Sequence, residues 1–151
     1  MISFSLAGAP RGKERVKTAA DGHAYTPERT VSFEGRLAYA AQIAMDGRPP
    51  LDGPLALEVD MFMAVPASKP KKWREQALRG AIRPTAKPDW DNGGKLTDAL
   101  NLIVWIDDKQ IVDGHVRKFY SDRPRTEIRV IPFVASVSND VLQRETEGVF
   151  A

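Results

Sequence analysis

The segment Lys87-Pro88-Asp89-Trp90-Asp91-Asn92, with Lys95 close behind it, carries the residue types in this sequence most able to do chemistry. A second acidic pair, Asp107-Asp108, interrupts the run Val104-Trp105-Ile106 and is followed by Lys109-Gln110-Ile111. Carboxylates at this density in apolar surroundings repel one another unless a cation sits between them. Every candidate ligand is a hard oxygen and neither His23 nor His115 lies in the motif, so the set suits magnesium, with manganese as a substitute, and not zinc.

Each of these residues also has an ordinary use. Asp89 and Asp91 share one side of an extended segment but stand roughly 200° apart on a helix. Pro88 biases Lys87 toward extended backbone, which puts Asp89 before a helix and Asp91 and Asn92 at its start. There the exposed amides and the helix dipole favour a carboxylate, and an N-cap is the commoner role of a bare Asp-x-Asp-Asn. Lys95 follows Asp91 by four residues, where it can pair with that carboxylate or reach a phosphate oxygen. As a plain exposed ion pair it would contribute only ~0.5 kcal/mol. Asp107 and Asp108 can form a turn, and because adjacent side chains diverge, at most one faces a cation shared with Asp89 and Asp91.

The elements that must position these groups follow from pattern. Residues 2–7 alternate as a strand, and a polar, basic loop runs on to about Tyr25. A helix follows, with Thr26 as cap, Pro27 in its first position, and Phe33, Leu37, Ala40, Ala41 and Ala44 on one face. Gly47-Arg48-Pro49-Pro50 ends it. Leu57, Val59, Met61, Met63 and Val65 make the cleanest strand. Residues 70–80 read as a short basic helix, and 83–88 as extended chain. The next helix begins near Asp91 and turns Leu96, Ala99, Leu100 and Ile103 inward, although Gly93-Gly94 weakens its first turn by roughly 1 kcal/mol per glycine. Val116 to Tyr120 and Thr126 to Phe133 are expected to form a hairpin through Ser121-Asp122-Arg123-Pro124.

The chain has 151 residues, 42% of them hydrophobic, which suits one domain, residues 1–134, with a polar tail over 135–151. It has no cysteine, which excludes disulfides, thiolate metal sites and a catalytic thiol. No secretory n-region or membrane-length apolar run is present, so a cytoplasmic protein with no membrane partner is expected. Net charge is only +2, from 22 Lys and Arg against 20 Asp and Glu, but the basic residues cluster. Arg11, Lys13, Arg15 and Lys17 form one group, Lys69, Lys71, Lys72, Arg74 and Lys87 fall in a second, and Lys118 belongs to a third after the acidic motif. Basic flanks around an acidic centre suit a polyphosphate substrate, with the cations on its backbone; a solvated surface of mixed sign is the plainer alternative.

Taken together, Pro88-Asp89-Trp90-Asp91-Asn92, Lys95, Asp98-Ala99-Leu100-Asn101 and Asp107-Asp108-Lys109-Gln110-Ile111-Val112 resemble the signature of the RusA family of Holliday junction resolvases. Pro10-Arg11-Gly12-Lys13-Glu14-Arg15 and Ala24-Tyr25-Thr26-Pro27-Glu28-Arg29-Thr30 resemble its phage-type members, so the likeness runs over most of residues 2–132. It departs where Gly93-Gly94 replaces apolar residues and where Lys95 and Asp98 are three apart instead of four. The resemblance implies an α+β domain, a mixed sheet packed with two or three helices, forming a homodimer on branched DNA. It implies magnesium-dependent cutting of paired strands at four-way junctions, with Asp89, Asp91 and Asp108 as catalytic metal ligands and Lys95 as the active-site lysine. Two other readings stay open: a DNA-binding module with weakened catalysis, and a metal-dependent phosphoesterase acting on flaps or other branched DNA.

Overall fold

The computed structural model describes residues 1–12 and 15–134; Lys13 and the expected tail lie outside the described residues. The alternation of β4 (Leu55–Ala64) becomes the two faces of a sheet. Leu55, Leu57, Val59 and Met61 are buried on one side, while Glu58, Asp60 and Phe62 point to the other. β1 (Ile2–Ala7), β6 (Arg125–Pro132), β4 and β5 (Ile111–Ser121) lie side by side in that order. β6 runs antiparallel to both β1 and β4, and β5 runs parallel to β4. A small ribbon, β2 (Lys17–Thr18) with β3 (Ala24–Tyr25), stands apart.

The expected hairpin does not form. β5 and β6 are joined by a short turn, yet β4 lies between them: Ala64 is opposite Ser121 of β5, and Phe62 is opposite Arg125 of β6. Alternating sequence states which side chains face a core but not which strand is the neighbour, and β4 gains main-chain partners on both edges this way. The α+β expectation, by contrast, is met: the described residues form a mixed four-stranded sheet with three helices.

The first helix, α1 (Glu28–Met45), turns Thr30, Phe33, Leu37, Ala41 and Met45 inward at helical spacing. Its start differs from expectation. Pro27, in extended backbone, holds the cap position without a side-chain bond, and its carbonyl accepts from the amides of Thr30 and Val31. Its end is a left-handed Asp46, whose amide donates to the Gln42 and Ile43 carbonyls, followed by Gly47 at φ +75°. The core joins this face to Ile2, Leu6, Ile128, Val130 and the buried side of β4, with Leu96, Leu100, Val104 and Trp105 closing one end. Each large side chain so buried is stabilising by roughly 1.5–3 kcal/mol. Trp105 is wholly buried, and its indole N–H is satisfied by Asn101 Oδ1 at 2.7 Å.

α2 (Lys71–Leu78) packs Trp73 edge-on to Tyr120 of β5, ring centres 5.5 Å apart. The acidic segment forms α3 (Trp90–Lys95), which tightens into a 3₁₀ turn over Leu96–Leu100. The helix therefore stops early and the chain turns at Leu102 with φ +69°, but Ile103 still packs against the core as expected.

The helices share one face of the sheet; the other is a ladder of charge. Arg129 bonds Glu58 at 2.7 Å and Asp60 at 2.6 Å, and Arg117 bonds Asp60 at 2.7 Å. Phe62 and Phe119 stack at 5.2 Å, with the Arg125 guanidinium over one ring at 3.8 Å and that of Arg83 over the other at 3.9 Å. The Arg129 bond holds the Glu58 carboxyl below its ordinary value. Burial pushes Asp60 upward, but the bonds from Arg117 and Arg129 together outweigh it and its pKa is also lowered. Both groups are more acidic folded than unfolded, so their stabilisation is complete above the unfolded pKa of about 4 and is lost as pH falls through the folded values. Urea unfolding should show stability dropping below about pH 4. Asp60→Ala should cost about 2 kcal/mol at pH 7 by removing the buried carboxylate that Arg117 and Arg129 share, leaving both to Glu58, and should make the acid limb shallower; an unchanged limb would remove the ladder as its source.

Candidate active site

The acidic segment is seated on the sheet by a glycine. Gly93 is buried, and a Cβ there would fall 2.7 Å from Met61 Cε, 2.9 Å from its sulfur and 3.4 Å from Val116 Cγ1. Gly94 meets only Val116 Cγ2, at an ordinary 3.7 Å. The expected loosening of α3 by two glycines is thus half right: Gly94 has the usual propensity cost, whereas Gly93 is what lets the helix backbone lie on β4 and β5.

The segment ahead of α3 is latched to the outer edge of β5. The Trp90 indole donates to the Val116 carbonyl at 2.8 Å, Arg83 donates to the Lys118 carbonyl, and the Lys118 ammonium donates to the Ala86 carbonyl at 2.6 Å. The N-terminal loop holds it as well, because a Cβ on Gly12 would meet Asn92 Cβ at 2.9 Å and Pro88 Cβ at 3.1 Å. The Lys87-Pro88 peptide bond is cis.

On this support the carboxylates divide. Asp89 occupies the N-cap position of α3 in extended backbone, but its side chain caps nothing and is exposed. Asp91 stands in the first turn, its Oδ2 3.4 Å from Lys95 Nζ, both side chains more than half exposed. Capping, the commoner use of such aspartates, is therefore not the use made of either side chain. Asp107 does cap. It accepts from the Lys109 amide at 2.9 Å, and Gln110 returns its carbonyl oxygen to the Asp107 amide at 3.2 Å, a complete capping box on the 3₁₀ turn Asp108–Gln110. That backbone N–H draws the Asp107 carboxyl below its ordinary value. The Gln110 amide also donates to the carbonyls of Leu51 and Gly53, each at 3.0 Å, which fixes the turn to the loop before β4.

Asp108 is left facing Asp98 of the turn after α3. Their hydrogen bond, with burial and the neighbouring Asp107 adding to it, pushes the Asp108 carboxyl up, as expected where like charges share a proton. From the sequence, Asp98 belongs to the Asp-Ala-Leu-Asn element with its role left open. The expected convergence of Asp89, Asp91 and Asp108 is not assembled: among the described residues no three His, Cys, Asp or Glu side chains lie close enough to hold a metal ion together. Asp89 lies before a helix and Asp91 within it, and mutual repulsion favours their separation. The donor chemistry nonetheless fits a hard divalent cation, since it offers carboxylate oxygens only, including a like-charge pair that a cation would relieve.

The basic residues scatter around this centre. Lys87, Arg15 and Lys17 are exposed, and Arg11 is half-buried next to Gly12. Lys69 lies over the Trp73 ring at 5.0 Å, Lys71 reaches Glu75 at 3.9 Å, and Lys72 and Arg74 are exposed on α2. Lys118 serves as a latch on the Ala86 carbonyl.

Residues 7–131 match the family model of endodeoxyribonuclease RusA, and the chain belongs to that family. It is also 38% identical over 137 residues to the uncharacterised protein YqaN of Bacillus subtilis (strain 168), an alignment spanning 85% of this chain and 94% of that protein. Among the described residues no helix is long and apolar enough to cross a membrane.

The two glycines make a test of how α3 is seated. Gly94→Ala should leave stability unchanged or raise it by about 0.5 kcal/mol, through helix propensity alone. Gly93→Val should lower it by about 2 kcal/mol, because branched carbon is forced onto Met61 and Val116. Chemical denaturation of both variants reads the difference; equal effects would mean that Gly93 is not a packing position.

Proposed function

We propose that this protein is a magnesium-dependent endodeoxyribonuclease that resolves four-way DNA junctions as a homodimer, with residues 1–134 as its catalytic domain. The observation that carries the reading is a pair of aspartates, Asp89 and Asp91, at the head of α3 with carboxylates that cap nothing, in a chain of the RusA family. Asp89, Asp91 and Asp108 are the groups that would hold the cation, with Asp98 beside Asp108. A hard divalent cation supplies Lewis-acid activation of water and of the phosphodiester.

The protein's own residues supply the rest. Asp91 and its neighbours would supply negative oxygens to the cation. Lys95 sits on the same face as Asp91, and on substrate binding its ammonium can leave the carboxylate for a phosphate oxygen that gains charge in the transition state. The capping box of Asp107 and Gln110 holds Asp108 at a fixed place on the turn. A two-fold dimer would present two such sites to a substrate with two equivalent strands. A catalytically weakened DNA-binding module is the second reading, favoured by the absence of an assembled carboxylate trio among the described residues.

Cleavage of a synthetic four-way junction, compared with flap and linear duplex, tests the reading. Magnesium or manganese should support cutting, calcium only binding, and excess chelator should abolish cutting. Full cleavage in chelator would remove the metal; metal-dependent binding without cutting would establish the weakened module. Asp91→Asn should abolish cleavage with binding within a few-fold of the parent, and Lys95→Ala should lower the saturated rate by ~10²-fold with little change in affinity. Equal loss of binding and cutting in Asp91→Asn would make Asp91 a structural residue.

The basic helix is tested by salt. Replacing Lys72 and Arg74 by alanine should weaken junction and duplex binding alike and flatten the slope of log K against log salt by up to about 0.9 per lost contact. An untouched slope would make α2 a solvated face.

A further inference from the structure

A cleft of about 410 Å³ opens between the loop after β1 and the first turns of α1. Arg11, Arg29 and Arg36 line it, with Ser32 and a single carboxylate, Glu28. The Arg36 guanidinium is anchored by donating from Nη2 to the Ala7 carbonyl at 2.8 Å, which leaves its other N–H groups for a ligand. Among the described residues neither Arg11 nor Arg29 makes an ion pair or a side-chain hydrogen bond. Three guanidiniums gathered around one cleft repel one another, and an anion bound there would relieve that repulsion. Their planar forks match the paired oxygens of a phosphate, and the Ser32 hydroxyl adds a further donor.

The chain links the cleft to the acidic segment through a single residue. Arg11 is followed by Gly12, which packs on Pro88 and Asn92, the residues that bracket Asp89 and Asp91. A ligand whose charge repeats along its length can therefore lie across α3 and in the cleft together. A nucleic-acid strand has that property, whereas a lone carboxylate or a short acidic peptide would gain nothing from the neighbouring aspartates. We infer that this cleft is a phosphate subsite for the DNA strand entering the acidic site, with Arg11, Arg29 and Ser32 holding one phosphodiester to one side of the bond that is cut. The inference rests on the nuclease reading and adds Arg29, Ser32 and Arg36, which lie on α1 outside every basic cluster of the sequence.

The test walks a single uncharged methylphosphonate along each strand of a four-way junction and measures binding to the full-length protein in excess chelator. One position near the cut should cost the wild type about fivefold in affinity, and the same position should cost Arg29→Gln nothing, because the contact is already gone. Arg29→Gln should also flatten the salt slope by about 0.9. Arg29 is exposed, and an unchanged thermal melt would verify the fold. A wild type that binds and cuts junctions, with an Arg29→Gln methylphosphonate profile identical to its own, overturns this inference and leaves the nuclease reading standing. A wild type that neither binds nor cuts them overturns both.

Discussion

Parallel neighbours in a sheet cannot be joined by a tight turn, and β4 and β5 are parallel neighbours. The chain must leave the far end of β4, travel back along the sheet and enter β5 from the near end. Residues 65–110 make that journey, and they contain α2, α3, both 3₁₀ turns and every acidic residue of the candidate site. The site is thus a property of the crossover. Its aspartates sit where they do because a long connection has to be packed down on the strands it links.

That packing combines buried apolar side chains, Leu96, Leu100, Val104 and Trp105, with a few specific contacts. Gly93 permits close approach to Met61 and Val116, the latches of Trp90, Arg83 and Lys118 fix the stretch before α3, and Gln110 ties the end of the crossover to the carbonyls of Leu51 and Gly53. The Gln110 amide uses its oxygen and its nitrogen in bonds of opposite sense, so its orientation is set without ambiguity. The opposite face of the sheet carries the Glu58, Asp60, Arg117 and Arg129 ladder, which crosslinks β6, β4 and β5 by charge. The sheet therefore presents an apolar side to the crossover and a self-satisfied polar side to its surroundings.

The residue types of the site and the family likeness were legible in the sequence, because hard ligands at close spacing next to a helix start have a recognisable chemistry. The strand neighbours were not. A four-residue turn between two β-patterned runs fits a hairpin and a split pair equally, and only the partners of β4 decide between them. Gly93 was read by propensity as a weak point, since its role depends on Met61, distant in sequence. Asp89 and Asp107 show the same limit in opposite directions: both stand at cap positions, yet only Asp107 is committed to its cap. Asp98 was invisible as a partner for Asp108 until the 3₁₀ turns brought their carboxyls together. Arg29 and Arg36 belong to a helix whose periodicity marks them only as exposed.

One feature of β5 reaches beyond catalysis. It is a long strand at the margin of the sheet, and an open margin of that kind invites another extended chain to add itself by main-chain pairing. The carbonyls of Val116 and Lys118 are already taken by the Trp90 indole and the Arg83 guanidinium. The segment that carries the aspartates is in this sense a guard rail, closing the margin with side chains where a further strand would otherwise dock. The bonds that place the acidic groups also occupy carbonyls of this strand, so damage to the crossover would open a pairing edge as well as cost chemistry.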